Sequence, residues 1–283
     1  MKVLVTGATG FIGNHVVTEL LQNNHTVIAS SLHPEKAKEF PWFNEVKYHP
    51  LNLSGLHHQV DYFQYFNAPD IIIHLAWEGL PNYLSLEHIE KNLFSHYQFL
   101  KNLVANGATH ITISGTCMEY GLREGVLSEE MMPNPANPYS IAKDCLRKFL
   151  EQLQIKYPFD LKWVRLFYMY GKGQHPNAIL AQLEAALKKG EKEFKMSKGE
   201  QQRDYLPVET VAEYVVKIAL QNRESGIINC CSGVPVTINQ LVDNYLKEKR
   251  LPIRLHKGYY AYPDYEPMNF WGDTTKLRKI IGK

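Results

Sequence analysis

Cysteine is scarce in this chain, and what there is stands poorly for chemistry. Cys117, Cys145, Cys230 and Cys231 show no metal-ligand spacing, and the adjacent pair Cys230 and Cys231 could be joined only under strain. A disulfide framework and a thiolate metal site are thereby excluded, no metal is expected, and the thiols read as reduced in a cytoplasmic protein. An excess of charge of one sign is missing as well, since 31 Lys and Arg face 29 Asp and Glu for a formal net charge of +2. Without a broad basic surface, nucleic acid and anionic membranes are poor partners, and a small, locally recognised ligand is expected instead. Long apolar runs are absent too. The stretch at 71–77 is far shorter than the roughly 20 residues that cross a bilayer, and Gly7 and Gly10 interrupt the apolar start before a signal segment can form.

What is there suffices for a full core: 283 residues, 45% of them hydrophobic, suit one large domain with a smaller appendage. Short β-branched runs at 3–6, 26–29, 46–49, 71–75, 110–114 and 161–166 alternate with helical patterns such as 11–22 and 86–104. That alternation predicts an α/β fold, a Rossmann-type doubly wound parallel sheet with helices on both faces. Beyond Gly171 the pattern loosens into connections rich in Gly, Pro and Lys around helices expected at 177–188, 208–220 and 238–249. The large domain is placed at 1–170, with some later segments returning to it, and a smaller C-terminal substrate-binding lobe takes up most of 171–283.

The glycine spacing at 7–13, GATGFIG, follows the first strand and opens the first helix, the context that marks a dinucleotide phosphate loop. Gly7 permits the tight turn, Gly10 lets the backbone approach a pyrophosphate, and Gly13 lets helix and strand pack closely. The free N–H groups of the first helical turn, around Thr9, Phe11 and Ile12, then receive the diphosphate. About 20 residues on, where an Asp or Glu would hold both ribose hydroxyls of NAD, the sequence reads Ala29-Ser30-Ser31-Leu32-His33. Two hydroxyls with His33 and Lys36 close behind suit a 2′-phosphate, which favours NADP over NAD. Glu35 is the residue that could reverse this preference, and the alternative role for Ser30 and Ser31 is to cap the following turn.

Tyr139 and Lys143 stand four residues apart in NPYSIAK, so both project from one face of a helix. An ammonium beside a phenol, together with the positive nicotinamide, would stabilise the phenolate and bring Tyr139 into range as proton donor or acceptor. The fifth strand ends in SGTCMEYG, at the sheet edge where ligands of open α/β folds sit; Thr116 there is the candidate to hold a reacting oxygen, and Ser114 a strand-end cap.

Taken together, TGATGFIG, HLAW, SGTCMEYG and YSIAK resemble the extended short-chain dehydrogenase/reductase family in its sugar-nucleotide branch, over nearly the whole chain. The resemblance implies a catalytic set of Thr116, Tyr139 and Lys143, and further cofactor contacts from Asn52, Leu53, Leu75, Ala76, Trp77 and Asn92. It also implies a nucleotide-diphosphate sugar as substrate, gripped at the diphosphate by Arg203 with Tyr168 close by, and a homodimer. Lys195 and Lys198 lie near Arg203 in sequence, where a solvated lysine loop is the other reading. Asn52 replaces a common aspartate near the adenine, and Tyr168 replaces a common asparagine. Cys117 and Met118 stand where sugar 4,6-dehydratases carry Asp-Glu, so dehydration is not expected. The segment WEGLPNY at 77–83 looks most like enzymes reducing a nucleotide-linked 4-keto-6-deoxy sugar, such as dTDP-4-dehydro-6-deoxyglucose reductases. Trp77 and Tyr83 either wall the sugar pocket or pack the core. The alternatives are a 4-epimerase with retained NAD and, of another class, a non-catalytic NADP-sensing regulator.

Overall fold

A computed structural model describes residues 1–57, 59–262 and 267–282. Along the first half, β1 (Lys2–Thr6), α1 (Phe11–Gln22), β2 (Thr26–Ser31), α2 (Pro34–Ala37), β3 (Lys47–Pro50), α3 (Tyr62–Tyr65), β4 (Ile71–His74), α4 (Leu93–Ala105) and β5 (His110–Thr116) follow one another. After them come β6 (Gly125–Leu127), α5 (Pro138–Lys156), β7 (Asp160–Leu166), β8 (Tyr168–Tyr170), α6 (Ile179–Lys188), β9 (Glu193–Lys195) and β10 (Gln202–Pro207). The chain ends with α7 (Val208–Leu220), β11 (Gly226–Cys230), β12 (Pro235–Thr237), α8 (Ile238–Lys249), β13 (Arg254–His256), β14 (Phe270–Gly272) and α9 (Thr275–Ile281).

Seven strands form one parallel sheet in the order β11-β7-β5-β4-β1-β2-β3. The order reverses between β1 and β4, so a crevice opens there at the strands' carboxyl ends. Successive residues of a strand face opposite sides, and both sides are apolar. Val3 and Val5 pack on Val16 and Leu20 of α1 and Val211 and Val215 of α7. Leu4, Ile72 and Ile111 pack on Phe99 and Leu103 of α4 and Leu146 and Leu150 of α5. At about 1.5–3 kcal/mol for each aliphatic side chain removed from water, these two layers supply most of the driving force. β11 joins the sheet beside β7, in register from Gly226 opposite Lys162, so a late segment completes its edge.

A third cluster is built by Leu183 of α6, Phe194 of β9 and Val242 of α8. In a fourth, Cys117 and Tyr120 beyond β5 pack with Leu127, Phe167, Cys231 and Phe270. Short strand pairs tie the same region, β14 running parallel to β6 and β10 lying between β8 and β12. Among the described residues no helix is long and apolar enough to cross a membrane.

Candidate active site

Two cavities open above the carboxyl ends of the strands. The first, of about 210 Å³, takes in Gly7, Thr9 and Gly10 from the β1–α1 loop, Ser30 and Ser31 from β2, Leu53, and Leu75, Ala76 and Trp77 past β4. Backbone geometry explains the glycines. Gly7 has φ +70°, and a Cβ there would stand 2.7 Å from the amide nitrogen of Ala76; a Cβ on Gly13 would meet the Gly7 carbonyl oxygen at 2.1 Å. Gly10 is the N-cap residue of α1, whose first turn, Phe11, Ile12 and Gly13, offers N–H groups that the helix itself leaves unpaired. A narrow loop pressed against a helix start is a cradle for a diphosphate, and the residues present fit a dinucleotide.

At the far end of this cleft stand Leu32, His33 and Lys36, and Ser31 Oγ is hydrogen-bonded to the Tyr48 hydroxyl at 2.8 Å. Glu35 lies outside the lining: its carboxylate accepts both bonds from the Lys38 ammonium, at 2.9 and 3.1 Å, on an exposed surface. Asn52 also stands outside, accepting from the Ser54 amide at 2.9 Å as the cap of a short helical turn. Asn92 is buried behind the cleft wall, its Nδ2 donating to the Glu78 carbonyl at 3.0 Å.

Tyr139 is set by the first turn of α5. Asn137 caps that turn, its side chain accepting from the Ser140 amide at 2.9 Å, with Pro138 preorganised at the first helical position. The Tyr139 amide donates to the Tyr83 carbonyl at 3.2 Å, and its phenol interacts with the side chain of Thr116 at the end of β5. The ring lies 6.0 Å from Trp77, in the wall of the first cavity, and 5.5 Å from Tyr83, in the wall of the second. The ring therefore stands between the two walls and lines neither cavity.

Lys143, one turn further, is wholly buried; its ammonium donates to the Ser114 carbonyl at 2.8 Å and lies 4.0 Å from the centre of the Trp77 ring. Burial draws its pKa down to about 7, with Glu119 opposing. Burial also governs Tyr139, pushing the phenol above its usual range, with Tyr83, Glu119 and Cys117 adding to the rise and Thr116 opposing it. The phenolate expected from the sequence draws on a positive nicotinamide as well as on the ammonium; the ammonium alone, itself half-neutral near pH 7, is a weak counter-charge against the cost of taking a phenolate out of water.

The second cavity, about 220 Å³, is lined by Pro81 to Leu84, Cys117, Met118, Leu122, Leu127, Asn137, Tyr168 and Phe270 among others, a mainly apolar set. Of the residues expected around a sugar, Tyr83 and Tyr168 line it, whereas Trp77 lines the first cavity. Arg203 stands behind the wall: its guanidinium lies 4.7 Å from the Phe270 ring and 5.7 Å from that of Tyr168, and Nη1 donates to the carbonyls of Gln202 and Met268. Lys195 lies over Tyr259, away in the β9–β13 pair.

Two features escaped the sequence reading. Glu119, fully buried, accepts from the Thr116 amide and Trp163 Nε1, both at 2.9 Å, and from Arg165 Nε at 2.8 Å, so it fixes the strand end that carries Thr116. His88 and His96, buried four residues to either side of the expected Asn92, complete a polar row at that spacing; the periodicity was a usable signal. Trp77 Nε1 donates to His88 Nδ1 at 3.2 Å, and His88 in turn reaches the Asn82 carbonyl at 2.8 Å, holding the loop that carries Tyr83. Among the described residues, no group of three or more His, Cys, Asp or Glu is placed to hold a metal ion.

Comparison with known proteins agrees with this architecture. The chain is 31% identical over 273 residues to a dTDP-6-deoxy-L-talose 4-dehydrogenase (NAD(+)) of Aggregatibacter actinomycetemcomitans, covering 96% of this chain and 99% of that one. It is 24% identical to a dTDP-4-dehydro-6-deoxyglucose reductase of Escherichia coli, over 85% of this chain and 79% of the relative. Among solved structures, MoeE5 in complex with UDP-glucuronic acid and NAD superposes with a TM-score of 0.84 at 25% identity, covering 100% of this chain and 93% of that one. The sequence model of the NAD dependent epimerase/dehydratase family matches residues 3–231, and with a parallel sheet, a glycine cradle and a tyrosine–lysine pair in place the chain belongs to that family, whose members carry out NAD-dependent modification of nucleotide sugars.

Proposed function

We propose that this protein reduces the 4-keto group of a nucleotide-linked 4-keto-6-deoxy sugar, a dTDP-sugar being favoured. The observation that carries the reading is the Tyr139 ring, beside Thr116 and set between Trp77 of a dinucleotide-shaped cleft and Tyr83 of a mainly apolar cavity. Bound in that cleft, a reduced nicotinamide supplies hydride. Thr116 hydrogen-bonds the sugar carbonyl, and Tyr139 gives its proton to the oxygen as the carbonyl is reduced. A phenol that burial keeps protonated is the form such a donor needs, and Lys143, titrating near 7, can hand on the replacement proton. Leu84, Leu122 and Phe270 give the second cavity an apolar side that suits a 6-methyl group. The dTDP-talose dehydrogenase and dTDP-sugar reductase relatives support the same carbon and the same sugar class.

For the cofactor we infer a preference for NADP over NAD, from Ser30, Ser31, His33 and Lys36 at the far end of the cleft and Glu35 outside it. The talose dehydrogenase relative carries NAD(+) in its name, so this preference would set the two apart. Binding titrations should give a lower Kd for NADP+ than for NAD+, and Lys36→Glu should erase the difference; equal affinities in the unaltered protein would refute it. The family resemblance further implies a homodimer.

The reaction is tested by following nicotinamide absorbance as the protein is incubated with NADPH or NADH and a panel of nucleotide-linked 4-keto sugars. Consumption is expected with 4-keto-6-deoxy substrates, and Tyr139→Phe should lower turnover about 10²–10⁴-fold while leaving dinucleotide affinity unchanged. Full activity of that variant would defeat the assignment. Interconversion of 4-epimers without added cofactor would establish the epimerase instead, and dinucleotide binding with no turnover of any sugar the regulator.

A further inference from the structure

The dinucleotide cleft contains an imidazole that the redox reading leaves unused. Thr6 at the end of β1, His74 at the end of β4 and His96 on α4 form a buried row. Thr6 Oγ1 lies 2.8 Å from His74 Nδ1, and His74 Nε2 lies 2.7 Å from His96 Nδ1. Thr6 Oγ1 also accepts the Ala76 amide N–H, at 3.5 Å. Its own proton must go somewhere, and among its hydrogen bonds the acceptor on hand is His74 Nδ1. His74 then carries its proton on Nε2 and donates it to His96 Nδ1. By the same logic His96 must carry its proton on Nε2, the ring nitrogen pointing away from the row.

His96 lines the cleft beside Thr6, Ala76 and Trp77. Its ring is stacked on Trp77, with centroids 4.6 Å apart and planes at 25°, so its orientation is fixed by packing as well as by His74. From this row we infer that His96 is a cofactor-binding residue, whose Nε2–H donates to a hydroxyl or phosphate oxygen of the bound dinucleotide, with Thr6 setting its tautomer from the opposite end. Both imidazoles are neutral: burial first, then Lys143, brings His74 down to about 3, and burial with His74 and Lys143 holds His96 well below the usual histidine range. The contact is thus a directional hydrogen bond and not a charge, and it should change little with ionic strength.

This inference rests on the cleft being the dinucleotide site, and two measurements keep the two claims apart. In ¹⁵N-histidine NMR of the full chain at neutral pH, His74 and His96 should both be neutral Nε2–H tautomers, and NADPH should shift the His96 Nε2–H signal. His96→Phe retains a ring against Trp77 and should weaken NADPH binding roughly 5- to 10-fold, the loss expected for one neutral hydrogen bond. An Nδ1–H tautomer at His96, a signal unmoved by NADPH, or an unchanged Kd in the folded variant would each overturn the role of His96. Failure of the unaltered protein to bind any nicotinamide dinucleotide would overturn the reading of the cleft instead.

Discussion

Tyr139 and Lys143 stand one helical turn apart, and burial moves their pKa values in opposite directions, up for the phenol and down for the amine, so that both are drawn towards the neutral form. The same desolvation acts on the histidines and gives stability a pH dependence. His74 takes up a proton near 6.5 when unfolded but only at about 3 in the fold, so the unfolded chain binds more protons between those values. Its contribution is therefore complete above about 6.5 and is lost as pH falls towards 3. The urea midpoint should drop across that window, and His74→Asn should flatten the slope by up to about 1.4 kcal/mol per pH unit. Parallel profiles for the two proteins would sink this account. The glycines, Tyr139 and Lys143 could be located from the sequence because each depends on local spacing. The state of Tyr139 could not, since burial is a property of the assembled site. Nor could Glu119, whose partners Trp163 and Arg165 come from β7 across a long stretch of intervening chain.

The start of α5 shows how an element positions chemistry. Asn137 satisfies the Ser140 amide and Ser140 answers the Asn137 amide, so the turn bearing Tyr139 is held from both sides. Asn137→Ala should cost about 1 kcal/mol of stability and should lower kcat at unchanged dinucleotide affinity, checked by thermal melts and steady-state kinetics; a variant with normal melting and turnover would remove the cap from the account. Long elements were legible from periodicity, and α1, α7 and α8 span the residues their apolar spacing indicates. The helix expected over 86–104 is instead a π turn at His88–Asn92 running into α4. That turn aims His88 and Asn92 at Trp77 and Glu78, a local widening that a 3.6-residue pattern does not reveal. The three-residue strands β6, β8, β9, β12, β13 and β14 are too short to carry a period, and their partners are remote.

At the scale of the whole molecule, α4 and α5 pack side by side and leave apolar surface outward, with Phe94 52% and Phe149 38% exposed. If the homodimer forms through these helices, sedimentation should show a dimer, and Phe94→Glu combined with Phe149→Glu should yield a monomer. A monomer in the unaltered protein at micromolar concentration would exclude it. The doubly wound sheet was readable from the alternation of runs, but the closing of its outer edge was not. β11 adds to β7 from beyond the loosely patterned segment after Gly171, where the sequence carries no sign of which strand it will join. During synthesis, then, β7 leaves the ribosome with one edge bare. Its unpaired backbone N–H and C=O groups stay open to pairing with other chains until α6, β10, α7 and then β11 have emerged.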